Sequence, residues 1–375
     1  MQMLVAIDSF KGSLSSYEAG KAVSRGIIHA GFPSCEICAV ADGGEGSVDA
    51  LMRHKQGKIQ MFSCRNAFHQ LTEVPVFLFT EDNELCAAVE AASIYGLHGQ
   101  TVSYQTVEVT NTYGAGELIK LLVGSGVQKL LFFLGGTITS DAGLGMMQGL
   151  GVKLYDAHDH LIPATVNPLF SFHHWDEESY RQMRVAYSSL KIIVGCDVNA
   201  PLYGESGCIW LYASQKGATP RQQELLERKL HELEAFSKQD LMKPGCGAGG
   251  GSGAGFLLAG AQLTSGFDLI SSSLQLEERI RQADMIITGE GGMNAQSLQG
   301  KLPICVAEIA HRLQKPVIAF CGQKESGNEA LSARFDGIFS IQQGVYSLKE
   351  AIDHTAEYLE ESAYQYFRLI RHFSS

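Results

Sequence analysis

"MLVAIDSFKGSLSSYEAGKAVSRGII", residues 3–28, is the stretch on which the fold turns. Met3, Leu4, Val5 and Ala6 form a short apolar run of the kind that makes a buried strand. An acid, a lysine, a glycine and several hydroxyls follow in "IDSFKGSLSS". Ala19, Ala22, Val23, Ile27 and Ile28 then recur at helical spacing until Gly31 stops them. Ser15 and Glu18 stand at capping-box spacing, so the turn joins a strand to the start of a helix. The pattern repeats at once: "CEICAVAD" reads as a short strand breaking into "DGGEGSVDALMRH", a glycine- and acid-rich turn with a helix behind it.

From about 58 to 92 the pattern changes. "KIQMFSC", "TEVPVFLFT" and "LCAAVEAA", parted by polar turns such as "EDNE", predict antiparallel strands and the start of an inserted domain. Beyond it "KLLFFLGG" and "KIIVGCD" are strand-like, while "GAGELIKLLVG" and "GLGMMQGLG" are helix-like. Residues 220–242 read as an amphipathic surface helix opened by Pro220. Near the end "ADMIITGEGG", "KPVIAFCGQ" and "FDGIFSIQ" alternate with helical stretches at 302–313 and 348–370, restoring the punctuation of the chain's beginning. The expected fold is α/β with two domains. Residues 1–57 and 285–375 make a discontinuous Rossmann-like parallel-sheet domain, 58–284 an inserted mixed α/β domain, and the active site lies in the cleft between them.

A chain of 375 residues is long enough for two cores. Hydrophobic residues at 45% and charged residues at 18% are ordinary globular values, which argues against disorder and against a membrane protein. The sequence lacks both an apolar run of ~18 residues and a signal peptide, so a cytoplasmic enzyme is expected. The net charge of -11, with no Lys/Arg-rich run, excludes a protein that tracks nucleic acid. Nine cysteines, several in apolar settings such as "VIAFCG", read as reduced core thiols, and the pair Cys35 and Cys38 lacks a second pair at zinc spacing.

In parallel α/β sheets, ligands sit outside the carboxyl ends of the strands. This chain places Asp8 with Lys11 and Ser13 at such an end, then Asp42 with Glu45, Thr139 with Asp141, Asp197 with Asn199, and Glu290 after "MIITG". A single acid there is ordinary turn chemistry. Recurrence at one strand end after another points to a magnesium-nucleotide site, where acids hold metal or accept a proton and glycines let N–H groups approach phosphate. "PGCGAGGGSGAGF", residues 244–256, contains GxGxxG, but the segment before it is helix-like, so the dinucleotide fingerprint lacks its context. A P-loop GxxxxGK[ST] is absent. The run is expected to be a flexible loop feeding the apolar helix "AGFLLAGAQL", a cradle for phosphate oxygens. Lys11, Lys216, Lys243 and Lys301 are the local basic partners.

"DSFKGSLS", "VADGGEG", "TYGAGELI", "SDAGLGMMQGLG", "CDVNAPLYGESG" with "SQKGA", and "DMIITGEG" with "AQSLQGK" resemble, in order and over nearly the whole chain, the glycerate kinase type 1 family. The resemblance implies ATP-dependent, magnesium-assisted phosphorylation of D-glycerate on a two-domain α/β fold. Its partners would be D-glycerate and ATP, without nucleic acid or membrane, and a homodimer is one assembly considered. Which glycerate hydroxyl reacts stays open. The expected catalytic groups are Asp197 or Asp8 as the acid that orients or deprotonates the hydroxyl, and Lys11 as the cation. Substrate and phosphate are assigned to Ser9, Ser13, Gly43, Gly44, Thr139, Asn199, Lys216, Gly247, Gly249, Gly250, Gly251, Gln296 and Lys301, and metal to Asp42, Glu45, Asp141 and Glu290. The chain departs from the family at Gly292 and Asn294, where Arg and Asp are usual, and in "TITSD", where a Ser-Ala-Thr-Asn-Asp run is usual. Glycine cannot imitate the planar, bidentate guanidinium. The alternative reading is a diverged relative that binds a related hydroxy acid without catalysis.

Overall fold

The two ends of the chain meet in one parallel sheet, and that pairing positions the candidate site. The computed structural model describes residues 1–295 and 297–374. In chain order its strands are β1 (Met3–Val5), β2 (Glu36–Ile37), β3 (Gly57–Arg65), β4 (Leu71–Glu81), β5 (Glu84–Glu90), β6 (Lys129–Leu134), β7 (Leu154–Tyr155), β8 (His174–Trp175), β9 (Lys191–Cys196), β10 (Gln262–Ser265), β11 (Met285–Met293), β12 (Val317–Lys324) and β13 (Gly337–Ser340). The protein is a mixed α/β structure of two units. Met1–Asp42, Asp49–His54 and Ile270–Ser375 form the first; Gly43–Val48 and Lys55–Leu269 form the second.

The first unit holds a parallel sheet in the order β13-β12-β11-β1-β2, with Met3 opposite Met285 and Val5 opposite Ile287. Its core joins both chain ends. Ala19, Ala22, Val23 and Ile27 on the helix Ser16–His29 pack with Leu359, Ala363 and Phe367 on the helix Thr355–Ser374, over Val5 and Ile287 of the sheet. The Ser15–Glu18 capping box is formed. Of the expected strand "CEICAVAD", only Glu36–Ile37 pairs, because this is an edge strand that leaves the ladder once the Cys38 N–H has reached the Val5 carbonyl. The expected helix at 348–370 is two helices, Leu348–Asp353 and Thr355–Ser374, the first opened by a Ser347–Glu350 capping box.

The second unit holds a mixed sheet in the order β10-β9-β6-β5-β4-β3. β4 is antiparallel to both β3 and β5, and β5, β6, β9 and β10 are parallel. β7 and β8 make a small separate pair. The helix expected over 220–242 ends at Ser237, where Lys238 takes a left-handed conformation (φ 56°). Boundaries between the units differ from a cut at 57/58 and 284/285. The turn 43–48 belongs to the second unit, where Glu90 accepts hydrogen bonds from the Gly46 and Val48 N–H groups. The helix Leu276–Gln282 belongs to the first, where Arg279 pairs with Glu36 and Glu277 with Arg312.

The glycine run is packed rather than flexible, a correction to the sequence reading. Gly245, Gly247, Gly250 and Gly251 are buried and Gly249 is half-buried, and a Cβ on Gly247 would lie 2.2 Å from the Pro201 carbonyl oxygen. Glycine is needed there for close approach of backbones.

Gly26 shows how tightly the two chain ends are joined, since a Cβ there would lie 2.3 Å from the Glu360 carbonyl oxygen and 2.7 Å from the Ala363 Cβ. Gly26→Ala is expected to destabilise the protein by about 1–3 kcal/mol through overpacking. Urea denaturation would measure the loss; unchanged stability would mean that the helices separate at little cost.

Candidate active site

The first unit contains a cavity of about 300 Å³. One wall is polar and is made by the turn after β1 (Asp8, Ser9, Lys11, Ser13), by Asp42, by Glu290 to Gly292 of β11, and by Lys301. The other wall includes Ile341, Leu348, Ile352, Thr355 and Tyr358 from the C-terminal segment. Sequence and backbone fix the polar turn. Phe10 and Leu14 exchange backbone hydrogen bonds around Gly12, whose φ of 79° favours glycine. The Ser13 hydroxyl donates to the Ile352 carbonyl at 2.7 Å, tying the turn to the helix Leu348–Asp353. Ser16 donates its hydroxyl to the Ile7 carbonyl and accepts from the Val40 N–H, which holds the segment leading to Asp42 beside β1.

Parallel pairing places Asp8 beside Glu290: the Asp8 N–H donates to the Gly289 carbonyl at 2.9 Å. Burial, with the charge of Asp42 next, pushes the Asp8 pKa up to about 7; Glu290 adds to the rise, while the Ser9 N–H and the Lys11 ammonium oppose it. Glu290 is itself buried, accepting from the Ser297 hydroxyl at 2.5 Å and from Lys301 Nζ at 3.2 Å. Lys11 is exposed at the rim. The arrangement offers a carboxylate that changes protonation near neutral pH, two lysines and a partly apolar wall, which suits taking a proton from a bound hydroxyl near an anion.

In the second unit the candidates gather behind β6 and β9. Lys216 is 3% exposed and donates to the Thr139 carbonyl at 2.7 Å and the Thr137 hydroxyl at 3.3 Å. Both acceptors are neutral, and burial pulls its pKa down to about 8. A Cβ on Gly250 would lie 2.8 Å from that ammonium, and among the described residues the buried Thr139 hydroxyl oxygen has no hydrogen-bond partner. Gly249, Gly250 and Gly251, all at positive φ, lead into the helix Ser252–Ala259. Asp197 is exposed at the end of β9, with Asn199 exposed two residues on. Gly43 and Gly44 serve close approach: a Cβ on Gly43 would lie 2.2 Å from the Gly266 Cα, and the Gly44 Cα would lie 2.7 Å from a Cβ on Gly135.

Three assignments are corrected. Asp141 is fully buried and accepts from the Thr112 N–H and hydroxyl and from the Gly143 and Gly145 N–H groups, so it braces the turn after β6 and has no face left for a metal. Gly247 spends its N–H on the Ala200 carbonyl and Gly251 on the Gly247 carbonyl, which removes both donors from a phosphate cradle. Among the described residues no group of three or more His, Cys, Asp or Glu side chains could hold a metal, so Asp42, Glu45, Asp141 and Glu290 are not a ligand cage. Gln296 lies outside the described residues.

The profile of the glycerate kinase family matches residues 3–371. The chain belongs to this family. It is 33% identical to "Glycerate kinase" of Haemophilus influenzae over 379 aligned positions, covering 99% of each chain. It is 33% identical to "Glycerate 2-kinase" of Escherichia coli K12, covering 94% of this chain and 93% of that one. A solved structure described as that of a glycerate kinase 2 from Salmonella typhimurium LT2 is similar over 100% of this chain and 99% of its own, with a TM-score of 0.82 and 31% identity. As a member of the glycerate kinase family the chain is an enzyme of the kinase class. Among its described residues no helix is long and apolar enough to cross a membrane.

Sequence reasoning missed the far wall of the cavity in this glycerate kinase family member. Gln323 and Gln342 stand at or just past the ends of β12 and β13, positions that could have been listed with the other strand ends but carry amides instead of acids. Ile352, Thr355 and Tyr358 gave no signal, since on a helix they read as core.

The raised pKa of Asp8 has a consequence for stability. The folded chain holds the Asp8 proton up to about pH 7, whereas an unfolded carboxyl releases it near the ordinary aspartate value of 3.8, so this group's contribution falls as pH rises through that window. Asp8→Asn, which cannot ionise, is expected to gain stability over the wild type by little near pH ~4 and by most near pH ~8. Thermal melts at both pH values would show it; an equal difference at the two would contradict the burial of a carboxylate there.

Proposed function

We propose that the protein phosphorylates D-glycerate to phosphoglycerate with ATP and magnesium, and that Asp8 is the base. What supports this most is the setting of Asp8, a crowded carboxylate with a pKa near 7 lining a cavity with Lys11 beside it. Phosphoryl transfer asks little covalent chemistry of a protein beyond positioning, charge stabilisation and one group to receive the hydroxyl proton. Asp8 takes that proton. Lys11 and Lys301 meet the carboxylate of glycerate, and the apolar wall from Ile341 to Tyr358 limits water. Similarity to a protein named glycerate 2-kinase favours the 2-hydroxyl as the acceptor.

The residues suit a magnesium nucleotide in two places. Asp8, Asp42 and Glu290 line one cavity, and their mutual repulsion is what a divalent cation would relieve. Asp42 would hold it, since magnesium needs only one or two protein carboxylates when phosphate oxygens complete its shell. Bound magnesium supplies neutralisation of phosphate charge. In the second unit, Gly249, Gly250, the unpartnered Thr139 hydroxyl and the buried Lys216 ammonium fit a phosphate group. Asp197 and Asn199 are assigned to holding substrate or nucleotide.

A coupled ADP-release assay with D-glycerate tests the reading. Turnover is expected to rise with pH through about 7 as Asp8 ionises. Asp8→Asn is expected to lower kcat by about 100-fold or more, and Asp197→Asn by less. The reverse order of losses would move the base to Asp197, and nucleotide binding without turnover in the wild type would favour a diverged binding protein.

A further inference from the structure

Three glycines stand in the last residues of β11, and the structure demands them unequally. Gly289 has a φ of 153°, and a Cβ there would lie 1.8 Å from the Phe320 carbonyl oxygen. Gly291 lies 3.6 Å, by its Cβ position, from the Phe10 Cα, an ordinary contact. Gly292 is different: it has no left-handed φ, and among the described residues a Cβ built on it meets nothing within 4 Å. Glycine also weakens a strand interior, so neither backbone geometry nor packing calls for it at this position. What its missing side chain leaves is open volume, and Gly292 lines the cavity that holds Asp8 and Lys11.

The surroundings of that volume are polar. Gly292 is two residues beyond Glu290, on the same face of the strand, and pairs across the ladder with Gln323, which also lines the cavity. A side-chain amide can both donate to and accept from a hydroxyl. An open space bordered by an amide, next to the site assigned to a hydroxy acid, suits additional hydroxylated carbons.

Resting on the function proposed above, we propose that Gly292 sets the length of the acceptor, making room for a polyhydroxy acid of four or more carbons, whose extra hydroxyl bonds to Gln323. The chemistry at the reacting end is the same for either length: the acceptor oxygen forms a bond to the γ-phosphorus, the bond from that phosphorus to the ADP oxygen breaks, and the hydroxyl proton goes to Asp8.

The test is kcat/KM by ADP release for D-glycerate, D-erythronate and D-ribonate, using wild type, Gly292→Ala, Gly292→Val and Gln323→Ala. Wild type is expected to use erythronate. The ratio of erythronate to glycerate is expected to fall about 10-fold or more in Gly292→Val, by less in Gly292→Ala, and also in Gln323→Ala. If Gly292→Val does not fold, the other two variants decide. Use of glycerate but not of the longer acids by wild type, or a ratio that none of the variants moves, overturns the inference and leaves the glycerate reading standing. If wild type phosphorylates no acid of any length, that reading fails and this inference with it.

Discussion

The pairing of β1 with β11 is the constraint on which the candidate site depends. Met3 faces Met285 and Val5 faces Ile287, and the ladder runs on until the Asp8 N–H reaches the Gly289 carbonyl. Two carboxylates far apart in the chain thereby end at one edge of one sheet, with Asp42 brought beside them by the segment that follows β2. Burial then acts on a cluster that already repels itself, and the ammonium of Lys11 offsets only part of the effect. Any slip of register would separate Asp8 from Glu290 and remove that neighbour's share of the rise. The Gly26 contact joins the two terminal helices in one core with Val5 and Ile287 of the same two strands.

The second unit solves a different problem, how to keep a cation buried among neutral groups. Lys216 is held by the Thr139 carbonyl and the Thr137 hydroxyl, and Asp141 and Asp197 act on it only through space. Such a group is costly without an anion nearby. Backbone glycines approach it closely because a side chain at Gly250 would collide with the Thr139 carbonyl. Asp141, which could have served as counter-ion, is instead spent on Thr112, Gly143 and Gly145. A buried lysine, an unpartnered threonine hydroxyl and a glycine turn together are the features expected where a phosphate is received.

Much of this was legible in the sequence because strand ends announce themselves. A short apolar run followed by Asp, Gly and Ser has few other interpretations, and Asp8, Lys11, Asp42 and Glu290, read in that way, line one cavity. The errors share one cause: a residue type gives its chemistry but not its partners. Asp141 looked like the other strand-end acids, and only its four hydrogen-bond donors show that it is a brace. The run 244–256 looked flexible because glycine is permissive in isolation, whereas here glycine is what lets segments pack backbone to backbone. The cavity's far wall was hidden because Ile352, Thr355 and Tyr358 carry no pattern that separates a lining residue from a core residue.

A ¹³C NMR titration of the Asp8 side-chain carboxyl in the ligand-free protein tests the account most directly. If register, burial and the neighbouring carboxylates act together as described, the Asp8 resonance titrates with a midpoint of about 7. A midpoint near the unperturbed carboxylate value of about 3.9 would contradict the account, because Asp8 would then be a solvated turn residue without the means to act as a base near neutral pH.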